Sequence, residues 1–318
     1  MPAPARAAPE PPAPPDAAAA TLEPPARPGL VLLCLLALYV IWGSTYLGMR
    51  FALESFAPFT MAGLRFLFAG SVLLMALKVR GHALPTRRQW GASALTGFLL
   101  LTVGNGAVAV GEQTLPSGIA AVVVGSMPLW AALFSGLWGQ WPGTAERWGL
   151  LLGFAGIVLL NAGGGLSGSA LGAVALLVAP AAWAFGSVWS RRLPLPPGLM
   201  ATAAQMLCGG AAALLLSRVL REPWPLSPTP RALGSFLYLV VFGSLVAFSA
   251  YGYLLRNARP ALATSYAYVN PAIAVLLGVL FAGERLGPWT VVAMGIILAA
   301  VLLLTRARVR AATAAARR

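Results

Sequence analysis

Lysine, histidine and aspartate each occur once in this 318-residue chain, as Lys78, His82 and Asp16, and only 9% of its residues are charged. Each scarcity removes a class of chemistry. With one lysine and no glycine-rich loop before it, the chain has no P-loop and cannot be a nucleotide-driven pump by itself. One histidine and two cysteines, Cys34 and Cys208, both inside apolar runs, do not make a usual zinc site, so neither a metal nor another cofactor is expected. A Ser-His-Asp triad would have to draw on Asp16 in the N-terminal tail, and an enzyme is not expected. Soluble domains carry about 25% charged residues; here 59% of the chain is hydrophobic and the mean hydropathy is +0.80, which makes it an integral membrane protein.

The apolar runs are close to the ~20 residues that an α-helix needs to cross hydrocarbon. The alternating ~10-residue pattern of a barrel strand is missing. The fold class is therefore an all-α polytopic membrane protein. The net charge of +14 would point to nucleic acid in a soluble protein, but the basic residues sit at the ends of apolar runs without interleaved aromatics, so no nucleic-acid partner is expected.

Residues 1–28 hold ten prolines and ten alanines, a composition that cannot bury a core and reads as a disordered cytoplasmic tail. It lacks an apolar core before a cleavage site and does not read as a signal peptide. Ten apolar segments follow, roughly 30–50, 57–78, 90–111, 115–137, 147–163, 170–190, 199–217, 232–255, 261–282 and 287–305. Pro116-Ser117-Gly118 separates the third from the fourth, and Arg259-Pro260 the eighth from the ninth. A basic tail, 306–318, closes the chain. With the N-terminus inside, the cytoplasmic loops and tails collect sixteen basic residues and the outer loops five, so both termini are expected in the cytoplasm.

The segments repeat. Trp42 aligns with Trp183, Arg50 with Arg191, Met61 with Met200, Pro128 with Pro271 and Gly156 with Gly295, at offsets of 139 to 143 residues. Two five-helix units follow, residues 29–165 and 166–305. Five is odd, so the second enters the membrane from the opposite side. Such inverted repeats mark transporters, with a substrate site at mid-membrane between the halves.

Residues near that depth form the candidate site: Trp42, Ser44, Arg65, Asn105, Trp183, Tyr251, Tyr266 and Asn270, a partly aromatic, weakly polar lining suited to a small organic solute. Pro128, Pro180 and Pro271 are candidate helix hinges, because each removes an N–H within a helix. Arg65 is a charge inside a span, which normally faces the bundle interior or water; it can bind a substrate carboxylate or pair with Glu54 or Glu112. Glu112 and Gln113 are candidates for coupling or gating. Glu112 either carries a proton or lies in the interface beside the turn. Arg50 with Glu54, and Glu284 with Arg285, read as interfacial or loop pairs. Gly149, Gly153 and Gly156 can pack helix 5 on helix 10 or form a homodimer face, so monomer and homodimer both remain open.

Three stretches carry a resemblance: WGSTYLGMRFALESFAPFTMAGLRF from Trp42, GEQTLPSGIAAVVVGSMPLW from Gly111, and YVNPAIAVLLGVLFAGERL from Tyr268. Over about residues 30–305 the chain resembles EamA-type members of the drug/metabolite transporter superfamily. That resemblance implies a multi-pass exporter of amino acids, metabolites or drugs in a bacterial inner (plasma) membrane, working by alternating access between inverted halves. The first half departs from the family's pattern at Gly139-Gln140-Trp141-Pro142, where a Gly-Glu pair is expected; its acid, Glu146, comes later. The function expected is therefore export of a small-molecule substrate across the bilayer, with proton coupling as an option. The alternative is a membrane-embedded solute-binding or lipid-handling protein without a coupled cycle.

Overall fold

The computed structural model describes residues 28–258, 262 and 265–315. The Pro/Ala-rich tail, the Arg259-Pro260 break and the last three residues lie outside the described residues. The chain forms helices α1 (Pro28–Ala52), α2 (Pro58–Val79), α3 (Arg87–Glu112), α4 (Ser117–Trp138), α5 (Thr144–Ala162), α6 (Ala170–Ser190), α7 (Leu199–Val219), α8 (Pro230–Leu254, continuing to Asn257), α9 (Tyr266–Ala282) and α10 (Pro288–Ala315). Among the described residues nine are long and apolar enough to cross a membrane, and the tenth, in α9, has a shorter apolar run, Val269–Ala282. The basic residues after 305 do not end α10, which continues as helix to Ala315.

Local chemistry sets the ends. Proline opens α2, α8 and α10, where its missing N–H costs nothing. Thr86 and Gln89 form a reciprocal capping box at the start of α3. Gly139 and Gly283, with φ of 78° and 62°, close α4 and α9 in the left-handed region that a side chain would strain.

The helices pack in pairs that the repeat exchanges: α2 on α7, α5 on α10, α1 on α9 matched by α4 on α6, and α1 on α8 matched by α3 on α6. Lipid offers no hydrophobic gain for these contacts, so close van der Waals fit between small residues supplies the attachment. A Cβ at Gly63 would lie 2.6 Å from Leu214, and one at Gly210 2.7 Å from the Leu67 amide. Gly149 and Gly156 lie against Ala300, Leu304 and Ile297 of α10, while Gly153 faces Leu129 of α4. The glycine stripe of α5 is thus used inside the molecule.

Among the described residues, three irregularities fall within the helices, besides the 3-10 turn Gly136–Trp138 that ends α4. A π-helical stretch runs through Phe98–Asn105 in α3 and another through Leu239–Val246 in α8. Their starts differ by 141 residues (239 − 98), as do their ends (246 − 105), so the second half repeats the first in backbone detail as well as in helix number. The third is a break in α4, where Gly125-Ser126 separates Ser117–Val124 from Met127–Ser135 and Pro128 starts the second piece. Pro271 and Pro180 stay within continuous helices. Large apolar side chains such as Phe68, Leu151, Val174, Leu215 and Phe281 are exposed around the outside of the bundle, the surface that lipid covers.

Connections after odd-numbered helices gather at one end of the bundle, here the odd end. Arg50 at the end of α1, Ser117 at the start of α4 and Glu284 after α9 meet there. The even end holds the remaining connections, and Arg192 lies over Trp138 there at 5.4 Å.

Candidate functional site

An α-helix brings residues three, four and seven apart onto one face. On α1 that face is Trp42, Thr45, Tyr46 and Met49, and all four line a cavity of about 90 Å³ between the halves. The π-helical stretch of α3 delivers Gly104 and Asn105, and α2 contributes Arg65. The α4 break adds Val124, Gly125 and Met127; α6 adds Trp183; α8 adds Phe248; α9 adds Tyr266, Asn270 and Pro271. The two tryptophans come from helices that the repeat exchanges. Pro271 packs on Gly125, where a Cβ would sit 3.0 Å from its ring, so the α4 break and the α9 proline touch at the cavity wall.

The aromatic part is fixed by ring contacts. Trp42 lies 4.8 Å from Tyr266, 5.2 Å from Phe248 and 5.3 Å from Tyr251. Its indole N–H donates to the Gly243 carbonyl at 3.2 Å, inside the α8 π-helical stretch. The next residue of that stretch, Ser244, accepts from Arg65 Nε at 2.8 Å. One short segment therefore sets both an aromatic wall and the cavity's charge. Arg65 is 2% exposed, its guanidinium sits 4.9 Å over the Phe66 ring, and its Nη1 has no hydrogen-bond partner. The amide oxygens of Asn105 and Asn270 are likewise buried and unpartnered.

Of the residues expected at the site, Trp42, Arg65, Asn105, Trp183, Tyr266 and Asn270 are brought together. Ser44 is not: two positions along from Trp42 it turns away, bonding Tyr238 at 2.5 Å and the Val40 and Ile41 carbonyls. Tyr251 stands behind the wall, against Trp42 and Tyr266. Thr45, Tyr46, Met49, Met127 and Phe248 were missed, though the α1 members follow from Trp42 by helical spacing. Of the hinge candidates, Pro271 lines the cavity, Pro128 starts the second piece of α4, and Pro180 is buried in α6 away from the lining.

The acids depart most from expectation. Glu54 pairs with Arg231 at 2.6 Å and not with Arg50. Glu284 is 7% exposed and accepts from the Ser117 amide (2.7 Å), the Ser117 hydroxyl (2.8 Å) and the Gly118 amide (3.0 Å), with Arg50 at 3.2 Å. A carboxylate is well placed there, because the first amides of α4 have no partner within the helix and the dipole favours negative charge. Glu222 does the same for α2, accepting from the Phe59 and Thr60 amides at 3.1 and 2.8 Å. In both cases the acid comes from the second half and the helix from the first. Glu222 and Glu284 thus both tie the halves at the odd end; at the even end Tyr39 hydrogen-bonds Ser265, Gln205 bonds Thr96, and Arg192 lies over Trp138. Gln140, the counterpart of Glu284, is exposed.

Glu112 is not exposed in an interface. It is 4% exposed, neither carboxyl oxygen has a hydrogen-bond partner, and it feels the charges of Glu284 and Arg50. Its neighbour Gln113 is exposed. Among the described residues no group of His, Cys, Asp and Glu could hold a metal ion.

Ten helices in two exchangeable sets of five, with a cavity at their crossing, define a polytopic carrier of the inverted-repeat class. The model of the EamA-like transporter family matches residues 29–162 and again 170–306. The chain belongs to that family, within the drug/metabolite transporter superfamily. It is 49% identical over 272 residues to an uncharacterized inner membrane transporter of Escherichia coli K12, YedA, covering 85% of this chain and 89% of that one. It is 29% identical over 267 residues to protein PecM of Dickeya dadantii, covering 83% and 88%. A solved crystal structure superposes over 86% of this chain and 97% of its own with a TM-score of 0.62 at 22% identity, a likeness of fold.

Proposed function

We propose that this transporter exports a small organic solute across a bacterial inner membrane by alternating access, with both termini and the even end in the cytoplasm. The observation that carries this is the cavity lined by Trp42 of α1 and Trp183 of α6, equivalent positions of the two halves. A site shared by exchangeable helices is the one place that both sides of the membrane can reach in turn. The excess of basic residues in the even-numbered loops supports the orientation, and the name of the E. coli relative supports the membrane.

The gating follows from the carboxylate ties at the odd end. Glu284 and Glu222 bind the second half to helix starts of the first at the odd end, so that end is latched here. The cavity, at about 90 Å³, is smaller than the ~150 Å³ void that takes up benzene. A solute of more than a few heavy atoms therefore enters only when the halves move apart. Glu112, partnerless beside the latch, is the group available to bind and release a proton as the latch opens. The test compares metabolites in the medium of overexpressing and deleted cells, then measures efflux of the enriched solute with and without a pH gradient. Export together with loss of the gradient effect in Glu112→Gln supports the proposal; an unchanged medium refutes export, and an unchanged gradient effect in Glu112→Gln refutes the proton role.

A further inference from the structure

The cavity contains one charge and no partner for it. Arg65 is 2% exposed, and a guanidinium in a membrane interior normally meets a carboxylate or a set of carbonyls. The two acids that could have neutralised it do not. Glu54 is taken by Arg231, and among the described residues neither ion pair involves Arg65 or Glu112. Within the lining Arg65 is the only ionisable group apart from the tyrosines Tyr46 and Tyr266. One side of the guanidinium is held by Ser244 at Nε. Its Nη2 lies along Gly243, where a Cβ would be 3.0 Å away. The free Nη1 is left without an acceptor. A buried donor on a charged group that lacks its acceptor costs more than an ordinary unmade hydrogen bond, and the planar fork of arginine fits a carboxylate.

We infer that the cavity selects net-anionic organic carboxylates, with the carboxylate on Arg65 and a flat apolar body among Trp42, Trp183, Phe248 and Tyr266. This rests on the cavity being the transport site, and it narrows the solute to one charge class. Amines are excluded for an electrostatic reason. The aromatic faces would attract a cation, but the nearest fixed charge has the same sign and no acid lines the cavity to offset it. Neutral amides lose the charge-assisted bond, which is roughly twice as strong as a neutral one. The Asn105 and Asn270 amides give neutral hydrogen bonds to a hydroxyl or N–H on the body, and they supply no full charge for an ammonium.

Binding is measured on the purified full chain in nanodiscs from the change in tryptophan fluorescence, separately from any flux. Four probes share one phenyl body: 3-phenylpropionate, its amide, 2-phenylethylamine and phenylalanine. The carboxylate is expected to bind at least ~10-fold tighter than each of the others. Arg65→Lys keeps the charge and is expected to retain the preference with weaker affinity; Arg65→Gln is expected to abolish it. Ser244→Ala, which leaves the guanidinium unbraced, is expected to weaken carboxylate binding and spare the amide, and it serves if Arg65→Gln does not fold. Equal binding of the amide or the amine, tighter binding of phenylalanine, or no carboxylate binding at millimolar concentration overturns the inference. Selective carboxylate binding without flux leaves the anion site standing and removes the transport proposal; flux of amines or amides does the reverse.

Discussion

A residue's neighbours in sequence and its neighbours in the fold agree only when the helix face is known, and α1 makes the difference plain. Trp42 was legible from the repeat, because its partner Trp183 stands 141 positions on. Ser44 looked equally placed by depth, yet each residue turns the helix by ~100°. Two steps carry Ser44 away, while three and four steps bring Thr45 and Tyr46 back. The helices are apolar on every side, so no hydrophobic stripe marks which face meets the cavity. Ser44→Ala should therefore leave solute affinity within about twofold while costing ~0.5–1.5 kcal/mol of stability through the lost Tyr238 bond. Trp42→Ala should lower affinity by at least ~10-fold, as expected for a buried aromatic anchor. Thermal unfolding and fluorescence titration separate the two effects. Gly278 offers a second test at this scale. A Cβ there would lie 2.5 Å from Glu284 Oε2, so Gly278→Ala should cost ~1–3 kcal/mol, the usual cost of overpacking. In a Glu284→Ala background most of that cost should vanish; equal costs in both backgrounds would show that the two positions do not interact.

At the scale of elements, the sequence located the α3–α4 turn at Pro116-Ser117-Gly118 because proline and glycine act locally. It did not locate the π-helical stretches, which depend on how a helix adapts to its neighbours and carry no residue signature. Those stretches place Asn105 in the cavity and brace Trp42 and Arg65 through Gly243 and Ser244. The latch was hidden for a related reason. By sequence Glu284 is a loop acid beside Arg285, whereas its partners lie 166 and 167 positions away in Gly118 and Ser117. The left-handed Gly283, followed by the Glu284 amide bonding back to Gly278 at 3.0 Å, turns the carboxylate onto α4. Removing its charge should loosen the odd end. With Cys34 and Cys208 replaced by alanine, an Ala121→Cys probe in the cavity wall should react at least several-fold faster with an impermeant thiol reagent outside cells in Glu284→Gln than in the parent. Equal rates would mean that the carboxylate caps α4 without closing the path.

For the whole molecule, composition and the 139–143 offset were enough for ten helices in two inverted sets, because length, hydropathy and repetition are properties of the chain itself. The glycine spacing of α5 offered its contact with α10 as one of two options, whereas the contact of α2 with α7 depended on side-chain fit that spacing alone does not rank. Orientation remains a claim about charge: sixteen basic residues on one side against five on the other. A cysteine introduced in the 80–88 loop should resist an impermeant reagent in intact cells and react after permeabilisation; labelling in intact cells would invert the topology. The central claim is that the cavity between the halves is the path of the solute. Flux of a bound carboxylate into liposomes tests it most directly, comparing the parent with Trp42→Ala, Trp183→Ala and Ser44→Ala. The expected result is flux in the parent and in Ser44→Ala, and a loss of at least ~10-fold in each tryptophan variant. Undiminished flux in the folded tryptophan variants, or no flux in the parent despite binding, would contradict it.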